Sequence, residues 1–276
     1  MVKVEFTGLA DLLRMSVKTF RSGGPDRVLL LGLRYLSWQL QFHRRVAELP
    51  RPIAKTITII IIFSLTIVIR CFHRIWPHKY TDADPYKRLW VDTEEIHYTT
   101  GIPLSKRRGW VQDGEWDKRG NPFLSRPYPK AIEQRYHEDC PWEETALAEK
   151  YGGEQFDRHR DRIERLYEYI RRDGYRSQKQ LIEDSPEAAW NGLNDAMHPL
   201  ANEIAVDIGR NGELLWNMCG QHRLAVAKVL DVDKVCVQVF RRHAEWQQVR
   251  DRARETGDVP VELYNHPDLQ DVIEPK

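Results

Sequence analysis

The 276-residue sequence is short of cysteine. It has Cys71, Cys140, Cys219 and Cys236, and no two of them form a C-x-x-C pair. That scarcity argues against a disulfide framework or a zinc knuckle and suits a reducing cytoplasm. Neither sign of charge is in excess: 42 Lys and Arg against 41 Asp and Glu leave a formal net charge of +1. Nothing therefore draws the whole molecule to nucleic acid, and any such binding needs a local patch. A cleavable signal peptide is not visible, because MVKVEFTGLADLL carries early acidic residues and no A-x-A-like site after an apolar run. Internal repeats and low-complexity tracts are missing too. The longest uncharged apolar run, TITIIIIFSLTIVI, covers the 14 residues Thr56 to Ile69. A bilayer span needs roughly 20.

What is present suits a packed core: 41% hydrophobic residues against 30% charged. Residues 1–76 read as an α-helical, membrane-associating region. FTGLADLLRMSVKTFR and RVLLLGLRYLSWQLQFHRRVAEL are basic and amphipathic, and SGGPD separates them. The apolar run that follows has three readings. It is a short or tilted transmembrane span that snorkelling Lys55 and Arg70 extend, an interfacial anchor, or a core element, since β-branched residues dominate it. Basic residues flank it on both sides, so loop charge gives no orientation. Residues 77–87, around PHKYTDADP, read as a polar linker.

Residues 88–243 then read as a globular α+β domain. RLWVDTEEIHYTTG suggests a strand and a short acidic turn. Residues 102–157 read as an insertion, with a long loop to about 130 and a broken helical stretch after it. DRHRDRIERLYEYIRRDG places Ile163, Leu166, Tyr167 and Ile170 on one helical face, with Gly174 as its stop. Ile204, Val206 and Ile208 alternate before an RNG turn, and Leu214 and Trp216 alternate after it, which predicts a β-hairpin. QHRLAVAKVLDVD predicts a helix and KVCVQVF a strand, with Cys236 as a buried structural thiol. Residues 244–276 read as a charged helix and polar tail.

The segment CGQHRLAVAK carries the chemistry. Gly220 allows close backbone approach to a ligand, and the helix behind it presents free N–H groups and a positive dipole end. Gln221 stands at that helix start. Arg223 offers a bidentate donor for phosphate, and His222 a donor or proton carrier. In the plainer alternative, Arg223 pairs with a nearby carboxylate and His222 is a satisfied core residue. Cys219 stands at the strand end as a further candidate. Arg241 and Arg242, in RRH, are candidate phosphate contacts.

From residue 158 onward the order is a helix ending in RRDGY, a hairpin, G-x-H-R, a helix and a strand. This order resembles the ParB/sulfiredoxin-like superfamily over about 160–242, with LWVDTEEI as a first strand. The resemblance implies a small mixed sheet with helices, preceded here by the helical region, and a bound nucleotide di- or triphosphate with Mg²⁺. Sulfiredoxins carry their catalytic cysteine directly before His-Arg, where this chain has Gln221. Partition proteins carry a DNA-reading helix-turn-helix domain downstream, and the 34 residues after Arg242 show no such pattern, which argues against sequence-specific DNA binding. Free-amino-acid kinases place an acidic base after the first strand, where Glu94 and Glu95 stand; Glu143 and Glu144 are further acids. The N-terminal region and RYHEDCPWEET are similar to archaeal ParB-like proteins, from whose acidity this near-neutral chain departs. The expectation is a nucleotide-binding protein on the cytoplasmic side of a membrane, with phosphotransfer to a small or lipid-linked acceptor. The alternatives are a non-specific nucleic-acid-binding or nuclease protein and an inactive adaptor.

Overall fold

The computed structural model describes residues 16–21, 24–29, 32, 51–102, 108–185, 189 and 202–273. The chain forms two units, Met1–Val68 and Ile69–Lys276. All but one of the described residues of the first unit are helical, at 16–21, 25–29, 32 and in the leading part of α1, Arg51–Ile75. Most of the amphipathic sequence expected to be helical before residue 50 lies outside the described residues. The apolar run is part of α1. Among the described residues, no helix is long and apolar enough to cross a membrane. Ile53, Ile60, Phe63 and Ile67 share one face of α1 by their 7, 3 and 4 spacing. They are exposed at 46, 59, 65 and 45%.

The second unit is built on a six-stranded mixed sheet in the order β1–β6–β4–β5–β2. Its strands are β1 (Arg88–Asp92), β2 (Tyr98–Thr99), β3 (Trp110–Gln112), β4 (Ile204–Ile208), β5 (Leu214–Trp216) and β6 (Lys234–His243). The long β6 organises the sheet. β1 runs antiparallel beside its first half, β3 parallel beside its last three residues, and β4 parallel along its other edge. The expected hairpin is present: Val206 faces Trp216 and Ile208 faces Leu214 across β4 and β5.

The helices of this unit are α2 (Pro127–Tyr136), α3 (Ala146–Lys150), α4 (Gly153–Asp173), α5 (Gln178–Asp184), α6 (Gln221–Val229), α7 (Ala244–Thr256) and α8 (Gln270–Ile273). The core forms where helices α2, α4 and α6 meet one face of the sheet. Ile204, Val206, Val235, Val237 and Leu224, all fully buried or nearly so, pack with Ile132 and Ile163. Removing one such side chain costs about 2–5 kcal/mol. The period-2 alternation sends Cys236 and Phe240 to the opposite face, and Cys236 is fully buried, as the strand pattern predicts. Gly174, at φ +77°, ends α4 and donates its N–H to Ile170.

The segment 77–87, read from sequence as a polar linker, belongs to the second unit: Tyr80 and Thr81 are buried, and the Asp82 carboxylate accepts from Arg250 at 2.9 Å. Part of the polar C-terminal tail is buried too. Leu269 and Asp268 are buried, and Asp268 accepts from Arg242 Nε and Trp246 Nε1, each at 2.9 Å. Hydropathy alone misses both segments, because their few buried apolar side chains, Tyr80 and Leu269 among them, stand between charged residues that are buried in ion pairs.

Candidate anion-binding site at paired helix N-termini

Gly220 sets the local geometry. It is the N-cap of α6 at φ +74°, ψ 18°, and a Cβ there would meet the Ile204 Cα at 2.7 Å. The glycine is therefore required by its left-handed turn and by the strand packed beneath it. The first intrahelical bond of α6 runs from Leu224 N to Gly220 O, and no side chain caps the helix. The N–H groups of Gln221, His222 and Arg223 precede that bond.

The side chains of the G-x-H-R turn divide in role. The Arg223 guanidinium donates to the buried Glu203 carboxylate at 3.0 Å and to the Asn202 carbonyl. It ties the first turn of α6 to the start of β4, which is the plainer of its two sequence readings. His222 is half-buried and meets the Tyr128 ring edge-on at 4.5 Å between centroids. Burial first, and then Arg162, His159 and Lys150, push its pKa down to about 3. Gln221 is half-buried, and its Nε2 is a buried donor with no hydrogen-bond partner among the described residues. Cys219 is buried against Ala205 and Phe240, away from reactive exposure.

A second helix completes the site. The Tyr128–His222 contact joins the start of α2 to the start of α6, and His137 Nε2 lies 3.2 Å from the Val229 carbonyl at their ends. The two helices therefore pack side by side and parallel, with both N-termini at one end. Each terminus carries about half a positive charge. Arg126 is the N-cap of α2, where Ser, Thr, Asp or Asn is preferred. Its guanidinium lies 4.6 Å from the centre of the Trp216 ring, and the Trp216 indole donates to the Cys219 carbonyl at 3.0 Å. Burial lowers the Arg126 pKa. Its Nε is a buried donor without a partner, and no carboxylate pairs with it among the described residues.

The surroundings add positive charge. Lys150, at the end of α3, sits over the rings of Tyr128 and Tyr151 at 5.0 and 5.2 Å. The Tyr128 hydroxyl lies 2.9 Å from that of Tyr151 and 3.1 Å from the His159 ring. Burial, Arg162, Lys150 and Arg158 lower the His159 pKa, as they would in a positive field. Arg126, Tyr128 and Lys150 lie inside the segment read from sequence as an insertion. The available signal was RPYP: an arginine directly before a helix-starting proline opposes the helix dipole.

The other sequence candidates lie elsewhere. Glu94 pairs with Lys228 Nζ at 3.6 Å, at the C-terminal end of α6, about 10 Å along the helix from Gln221. Glu95 is exposed beside it; burial and then Asp92 raise its pKa. The structure does not bring either to the turn. Glu143 and Glu144 are exposed on a 3-10 turn between α2 and α3. Arg241 and Arg242 are corrected as phosphate contacts: they are 3 and 2% exposed, and Asp207 and Asp268 engage them in two-point ion pairs. Among the described residues no group of three His, Cys, Asp or Glu could hold a metal ion. No family model, no curated protein and no solved structure matches the chain.

Proposed function

We propose that this chain is a nucleotide-binding protein of ParB/sulfiredoxin-like type, which holds phosphate groups at the joined N-termini of α2 and α6. The observation that carries this reading is the charge arrangement. Two helix dipoles already make that end positive, and Arg126 and Lys150 add cations where they destabilise an empty site. A bound phosphate reverses the balance. Its oxygens accept from the N–H groups of Gln221, His222 and Arg223, from Gln221 Nε2 and from the Arg126 guanidinium. Tyr128 and Tyr151 offer ring surfaces beside them. Mg²⁺ would arrive with the nucleotide's own phosphates, the usual partner of a triphosphate.

Binding, rather than phosphotransfer, is the function that this geometry supports best. Glu94 and Glu95, the acids suited to act as base, stand at the far end of α6. The nucleic-acid reading loses Arg241 and Arg242, which are buried and paired. We further propose that the exposed Ile53, Ile60, Phe63 and Ile67 face of α1 rests on a membrane surface. The test is a thermal-shift screen of the full chain against ATP, ADP, CTP and pyrophosphate, with and without Mg²⁺. Stabilisation by at least one nucleotide and by pyrophosphate is expected, because ligand binding to the native state raises Tm. No shift with any of them sinks the reading.

A further inference from the structure

The sheet covers one of its edges and leaves the other open. At β2 the backbone of residues 121–123 takes the outer side: Thr99 donates its N–H to the Asn121 carbonyl at 2.8 Å, and Phe123 donates to the His97 carbonyl at 2.8 Å. At the other end of the strand order stands β1, whose strand neighbour among the described residues is β6 alone. Just past β1, Thr93 donates its N–H to the Asp233 carbonyl at 2.9 Å, in register with the ladder. Hydrogen-bonded and non-bonded pairs alternate in an antiparallel ladder, so Leu89 and Val91 bond to β6, and Arg88, Trp90 and Asp92 turn their N–H and C=O groups outward. Among the described residues nothing takes the Trp90 N–H or carbonyl. The Trp90 side chain is 41% exposed and meets the Tyr175 ring edge-on at 6.2 Å. An open edge that displays a large apolar side chain is a template for another strand.

We propose that a second copy of this chain pairs with this edge, β1 against β1, antiparallel about a two-fold axis at Trp90. The strand reads Arg-Leu-Trp-Val-Asp, and its charges complement its own reverse. Arg88 of one copy stands opposite Asp92 of the other, twice by symmetry, and Leu89 stands opposite Val91. The two Trp90 residues form the central pair, each donating its N–H to the other's carbonyl. These outward groups are the ones that β6 leaves unused, so the pairing breaks no bond to β6. Asp92 is exposed, and Lys234, which holds it at 3.5 Å, lies on β6 and away from the second copy. Arg88 keeps its contact with Glu203 at 3.5 Å. A parallel pairing in register would instead set Arg88 beside Arg88 and Asp92 beside Asp92. The antiparallel contact is isologous and closes at two copies. This inference does not rest on phosphate binding at α2 and α6.

The experiment is sedimentation velocity of the full chain over a range of concentrations. A five-residue edge is a small contact, so a reversible dimer of about micromolar affinity is expected. Trp90→Pro removes the outward donor, spares the ladder to β6 and weakens the dimer about tenfold or more. Asp92→Lys puts like charges opposite each other twice and weakens it about fivefold or more. Urea midpoints show whether each variant is folded. Cross-linking fixes the register in a Cys71→Ser, Cys140→Ser chain. Oxidation joins two copies of Trp90→Cys, whose facing Cα atoms stand about 5.5 Å apart. It does not join two copies of Asp92→Cys, which stand about 13 Å apart along the strands. A monomer at every concentration, a dimer of equal strength in folded Trp90→Pro and Asp92→Lys, or cross-linking at position 92 rather than 90 would each overturn the proposal.

Discussion

At the scale of single residues, Arg126 is the position where structure adds most to sequence. A half-buried guanidinium with an orphaned Nε is costly unless something completes it. Arg126→Ala is expected to weaken nucleotide affinity about 10- to 100-fold, the range for losing a charge-assisted hydrogen bond. Arg126→Lys recovers only part of it, since a lysine cannot reproduce the planar fork. Titration by calorimetry reads both. Gly220→Ala tests the turn itself: positive φ and the contact with the Ile204 backbone predict a loss of about 1–3 kcal/mol in urea unfolding. The G-x-H-R motif was legible as a helix start but not in its detail. Only the fold shows that Glu203 takes Arg223, because 20 residues separate them. Spacing within the motif carries no trace of that partner. Arg126 is not legible beside the motif, because it is distant from it in sequence.

At the scale of elements, the α2–α6 pair is the unit that matters. Lys150→Glu should weaken nucleotide binding about tenfold and raise the Tm of the ligand-free protein, since it relieves repulsion at the positive end. A fall in ligand-free Tm with unchanged binding would mean that Lys150 only packs on its tyrosines. Anion binding should also take up protons. Burial and neighbouring cations depress His159, and a bound phosphate opposes the second effect. Its pKa rises on binding, so affinity increases as pH falls from 7 towards 6. The check is a binding enthalpy that varies with buffer ionisation enthalpy at pH 6. The elements themselves were largely readable: α4, the β4–β5 hairpin, α6 and β6 stand where periodicity and turn residues put them. Their mutual orientation was not, because helical periodicity says which face is buried and not which way a neighbour runs. The apolar run was legible as part of a helical region, and the β-branched residues left a strand open only for its core reading.

At the scale of the whole molecule, buried ionic pairs join distant segments. Arg250 links Asp82, before the sheet, to Asp271 near the chain end, and Asp268 binds Arg242. Burial opposes ionisation of Asp268, but Arg242 and Arg250 outweigh it and hold its carboxyl well below the usual range. A depressed carboxylate contributes stability above its unfolded pKa of about 3.9 and loses it as pH falls below that. His222 and His266 are depressed chiefly by burial, so they reduce stability earlier, as pH falls through about 6.5. Urea midpoints should therefore decline in two stages between pH 7 and 3. Asp268→Asn should reduce the later stage, to which Asp117 beside Arg210 also contributes, and cost about 3–5 kcal/mol at pH 7, because it leaves buried arginines under-compensated. The most direct test of the central claim is calorimetric titration of Mg²⁺–ATP, Mg²⁺–CTP and pyrophosphate into the full chain and into Arg126→Ala. Saturable binding of pyrophosphate and at least one nucleotide, weakened about tenfold or more in the variant, is predicted. Binding of equal strength to both proteins, or to neither, would contradict a phosphate site at the joined helix N-termini.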